Sequence, residues 1–64
     1  MTQKELLYYE DAIGHEVNTI DICNFIIENL DDDDLKAFMK RQLKKHEANK
    51  KLLLSKMEEL ANEW

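Results

Sequence analysis

The sequence predicts an all-α protein, an antiparallel helical hairpin that dimerises into a four-helix bundle. Three observations predict it. Apolar residues recur at steps of three and four through both halves of the 64-residue chain, which is the spacing of one helix face. The chain has a single glycine and no proline, so neither half carries a strong helix breaker. The pattern is interrupted once, at Asp31-Asp32-Asp33-Asp34, and a short break between long helices makes them antiparallel neighbours.

The chain reads as one helical-hairpin domain over 1–64, with a first helix over about 3–29, an acidic turn at about 30–31 and a second helix over about 32–62. In the first helix Leu6, Tyr9, Ile13, Glu16, Ile20, Cys23, Ile27 and Leu30 form one stripe, widened by Leu7, Val17 and Ile26. Gly14 costs about 1 kcal/mol there relative to alanine and suggests a close helix crossing. In the second helix the stripe is Leu35, Met39, Gln42, His46, Asn49, Leu53, Met57, Leu60 and Trp64, flanked by Phe38, Leu43 and Leu52. Trp64 is expected either to cover the open end of the bundle or to fray at the terminus.

The four aspartates follow from the turn. Asp31 is expected to cap the second helix by accepting first-turn amide hydrogens. Asp32, Asp33 and Asp34 would then lie in the first turn, where negative charge favours the positive helix end. Leu30 before the cap and Leu35 four residues after it have hydrophobic-staple spacing, and Asn29 suits the end of the first helix. A calcium loop needs alternating ligands, a central glycine and a closing glutamate; this run has no glycine, and its twelfth position is Gln42.

Closing the hairpin at 30–31 makes facing positions sum to about 61 or 62. Tyr9 then meets Leu53, Ile13 meets Asn49, Glu16 meets His46, Ile20 meets Gln42 and Ile27 meets Leu35. The apolar rows are too broad for one hairpin to bury, so a homodimer is expected. Its core would be Leu6, Tyr9, Ile13, Val17, Ile20, Ile27, Met39, Leu53, Met57 and Leu60.

Charge divides the halves. Residues 1–34 hold one base, Lys4, against ten acids, a formal charge of −9, whereas residues 35–64 hold eight bases against four acids, or +4. Folded side by side, the halves attract. The opening MTQKELLYYED is neither basic nor continuously apolar, unlike a secretion signal. No apolar run approaches the roughly 20 residues of a membrane span. Cys23 alone forms no internal disulfide, and the cytoplasm is the expected compartment.

Few residues suggest chemistry. Glu16 and His46 are the candidate metal pair, carboxylate and imidazole both being zinc or iron ligands, with Gln42 and Asn49 as supporting hydrogen-bond groups. The plainer reading is a polar layer that fixes register. His15 lies on a different face, four residues after Asp11, where a surface ion pair is permitted. Cys23 reads as a small core residue without a histidine to activate it. Tyr8 and Phe25 fall off the main stripe and suit an outer contact surface.

The stretch NLDDDDLKAF followed by MKRQLKKHEANKKLLLSKMEELANEW resembles the ferritin-like helical hairpins of the spore coat F type. The resemblance covers most of the chain and implies a structural or spore-associated role. Ferritin-like metal enzymes use a glutamate on one helix and Glu-x-x-His on the next. Glu16 and His46 resemble parts of that set, but position 43 is leucine where the pattern has glutamate. In size and hairpin form the chain also resembles the Rop-type RNA-binding dimers. The bases Lys36, Lys40, Arg41, Lys44 and Lys51 would then face RNA, although the first helix offers only Lys4. The expectation is a non-catalytic homodimer with a structural or protein-interaction role and no cofactor. A small Glu/His metalloprotein and a Rop-like RNA-binding regulator are the alternatives. A protein partner is compatible with this reading; nucleic acid and membrane are not expected as partners.

Overall fold

The structure is a computed structural model that describes residues 1–63. It consists of α1, Gln3–Asn29, and α2, Asp33–Ala61, with no strand among the described residues. The Trp64 expectation lies outside them. Three residues, Leu30 to Asp32, connect the helices, which pack side by side in a rod of 48 × 15 × 11 Å. The radius of gyration is 14.8 Å. A compact domain of this length would have about 10.7 Å, so two helices in a single layer give length without thickness.

Each helix starts on a side-chain cap. Thr2 precedes α1, accepts from the Glu5 amide at 3.1 Å and donates its own amide to Glu5 Oε1 at 3.1 Å, a reciprocal capping box. The hydrogen-bonded Thr2 groups hold the Glu5 carboxyl below its ordinary range. In α2 the structure corrects the expected cap. The Leu35 amide donates to Asp32 Oδ1 at 2.9 Å, and the Lys36 amide donates to the Asp32 carbonyl at 2.9 Å. Asp32, rather than Asp31, is therefore the cap, and the helix begins at Asp33. The one-residue displacement removes the Leu30–Leu35 staple spacing, because residue 35 becomes the third helical position and is 51% exposed. Asp33 and Asp34 remain in the first turn.

α1 ends without a left-handed residue. Leu30 is extended (φ −84°, ψ 141°), and its amide donates to the Ile26 carbonyl at 2.9 Å. Asn29 Nδ2 donates to the Phe25 carbonyl at 2.7 Å, so the asparagine solvates the last turn with its side chain. Gly14 also differs from expectation. A Cβ placed there meets nothing within 4 Å, so no helix crosses closely at this point.

The seam between the helices is thin. Cys23, 4% exposed, is buried, and no other residue is among those described. The ten residues expected in a dimer core, from Leu6 to Leu60, are half-buried. Eight large apolar side chains stand exposed, among them Phe25 at 67% and Leu52 at 69%.

Candidate functional site: a polar seam and an exposed apolar face

Glu16 and His46 meet at mid-length. His46 Nδ1 lies 2.6 Å from Glu16 Oε2, with side-chain exposures of 27% and 19%. An ionised carboxylate is acceptor-only, which assigns the donor role in this contact to the Nδ1–H tautomer. Asn49 Nδ2 donates to Glu16 Oε1 at 3.5 Å. Asn49 lies one turn further along α2 than the facing position, and its amide reaches across to Glu16 as well as standing near the level of Ile13. Both carboxylate oxygens thus have partners in a partly dry environment, where an unpaired polar group is costly.

This arrangement limits what the pair can bind. With Nδ1 committed to Glu16, the imidazole turns Nε2 toward any electrophile, and the carboxylate acts as an orienting group behind the ring. A metal held by one chain needs further ligands, and among the described residues no group of three His, Cys, Asp or Glu side chains is placed to hold one. His15 is exposed and forms no ion pair with Asp11; the other ion pair among the described residues is Lys56 with Glu59 at 3.7 Å. Gln42 is half-buried but bonds to neither Glu16 nor His46.

The seam separates two unlike sides of the hairpin. Helical spacing places Tyr8, Ala12, His15, Thr19, Ile22 and Ile26 along one side of α1, and antiparallel packing sets them beside Leu35, Phe38, Gln42, Lys45, Asn49 and Leu52 of α2. We call this the tyrosine face. The opposite side of α1 carries Leu7, Glu10, Gly14, Val17, Asp21, Asn24 and Glu28, beside Lys36, Lys40, Leu43, Glu47, Lys50 and Leu54; this is the glycine face. Two shallow grooves mark the same division, one bringing Asn24 together with Lys50 and Leu54, the other lined by Tyr8, Ala12 and Leu53.

The tyrosine face holds five of the eight exposed large apolar side chains: Tyr8, Ile22, Leu35, Phe38 and Leu52. Phe25 adjoins it on the back of α1. The Thr19 hydroxyl donates to the His15 carbonyl at 2.8 Å, leaving the methyl group outward. Cations sit beside two of the rings, Lys4 Nζ at 6.0 Å from the Tyr8 centroid and the Arg41 guanidinium at 5.9 Å from that of Phe38. Sequence reading singled out Tyr8 and Phe25 as outer contacts but missed Ile22; its signal was an isoleucine opening the uncharged run 22–27.

Comparisons with family models, with curated proteins and with solved structures find no match for this chain. No helix of the described residues is long and apolar enough to cross a membrane.

Proposed function

We propose that the protein is a non-catalytic helical module that works as a homodimer, two hairpins forming a four-helix bundle with a structural or protein-interaction role. The observation that carries this reading is the burial pattern. Two helices of 27 and 29 residues bury one cysteine, Cys23, and leave eight large apolar side chains in water. Apolar exposure on this scale marks an interaction surface on a folded chain. Light scattering on the eluting protein tests the proposal. The expected mass at tens of micromolar is twice the 7.6 kDa of the chain; a mass of one chain throughout the micromolar range would end it.

One observation favours a second reading. The 2.6 Å bond from His46 to Glu16 is the geometry in which a carboxylate orients a metal-binding imidazole, and a bundle of two hairpins supplies two such pairs. In that reading the protein is a small ferritin-like metalloprotein. Elemental analysis of protein purified without added metal decides it: zinc, iron or manganese near one ion per bundle supports the metal reading, and sub-stoichiometric metal removes it.

A further inference from the structure

We propose that the tyrosine face is the surface that closes on a second copy of the chain, while the glycine face stays in water. The proposal rests on the homodimer reading and adds to it which side of the hairpin associates. Three observations converge on this side and this occupant.

The first is the distribution of charge. Between residues 6–30 of α1 and 35–55 of α2, the tyrosine face carries two formal charges, Lys45 and, beside Phe38 at its edge, Arg41, with His15 and Tyr8 as its other titratable side chains. The glycine face over the same span carries Glu10, Asp21, Glu28, Lys36, Lys40, Glu47 and Lys50. Removing a charge from water costs several kcal/mol unless it is well paired, so closure on the glycine face desolvates seven charges and closure on the tyrosine face two.

The second is the placement of apolar groups. Ile22, Ile26, Leu35 and Phe38 form a patch near the turn, and Tyr8 with Leu52 forms another near the open end. Both patches lie on one side, so a single flat surface covers them together. The third is area. The chain exposes 5050 Å², whereas a folded monomer of its mass exposes about 4,300 Å². The excess, roughly 750 Å², approximates the ~800 Å² that each partner gives to a stable interface. A second copy brings the same charge-poor surface. It satisfies this face without requiring opposite charges that the face does not hold.

The experiment compares one substitution on each face. Phe38→Lys and Leu54→Lys both alter side chains that are exposed in the single hairpin, at 48% and 40%. Sedimentation equilibrium over a concentration series, with helicity followed by circular dichroism, gives the dimer dissociation constant of each. Phe38→Lys is expected to weaken association at least ~30-fold, the scale of a central interface anchor, and Leu54→Lys to change it less than ~3-fold. The reverse ranking, or a dimer that neither substitution weakens, overturns the face assignment and leaves the homodimer intact. A monomeric wild type, or one that associates only with another protein, overturns both. Carbene footprinting of wild-type protein above and below its dissociation constant covers the case in which Phe38→Lys loses its helices. Protection of Tyr8, Ile22 and Phe38 with continued labelling of Leu7 and Leu54 supports the assignment, and the opposite pattern defeats it.

Discussion

The tyrosine face and the glycine face are built on the same two helices, flank the same seam and have opposite surface chemistry. On the glycine face acids of α1 stand across from bases of α2, so that side gains from the charge asymmetry of the two halves while keeping its charges hydrated. The tyrosine face has fewer charges and the larger share of exposed apolar groups. The contrast teaches that the −9 and +4 of the two halves concern the pairing of helices within one chain. Under the proposed homodimer, association belongs to the side with fewer charges.

The widest separation between the faces is expected from a pair of substitutions two residues apart. Ala12→Arg introduces a cation on the tyrosine face beside Tyr8, and should weaken dimerisation at least ~30-fold. Gly14→Arg introduces the same group on the glycine face, where the site is open. It should leave dimerisation unchanged and add about 0.8 kcal/mol of stability through helix propensity. Dilution series by fluorescence anisotropy and urea unfolding measure the two quantities. A loss of dimer in Gly14→Arg would erase the distinction between the faces.

The seam between them comes next. Glu16→Ala leaves a half-buried His46 and Asn49 without their acceptor and should cost about 1–3 kcal/mol in urea unfolding. Replacing both members, Glu16→Leu with His46→Leu, should recover most of that loss, since an apolar pair of similar volume needs no partner. If the double variant is as unstable as the single one, the layer is doing more than filling the seam.

Smaller effects belong to the helix ends, where neither face is involved. Asp32→Ala should lower stability by about 1 kcal/mol, and Asp31→Ala by no more than a few tenths; equal losses in thermal melts would show that the cap is shared. The slightest effect is the acid response of the Thr2–Glu5 box. Its carboxyl is held below the ordinary range by bonds from Thr2, so the box is complete above the unfolded-state value and is lost as pH falls through the folded value. Amide exchange at Thr2 and Glu5 should rise in that acidic window.

Much of this was legible in the residues. Steps of three and four marked both helices, and counting inward from the break placed Glu16 opposite His46 and Cys23 in the seam. The cap was not legible, because four adjacent aspartates offer equal acceptors, and the closing geometry of the chain selects one of them. Gly14 looked like a crossing point because glycine permits close approach; only the path of α2 shows that nothing approaches.

The sequence by itself determined that there are two helices, where they end to within a residue or two, and that each has more apolar surface than its partner covers, because periodicity and breakers act within a few turns. The tertiary structure decided which aspartate caps α2, that Asn49 joins the Glu16–His46 bond, and which stripe of α1 shares a side with which stripe of α2. Those depend on how one helix is rotated about its axis against the other, and that rotation is set by contacts between residues some thirty positions apart.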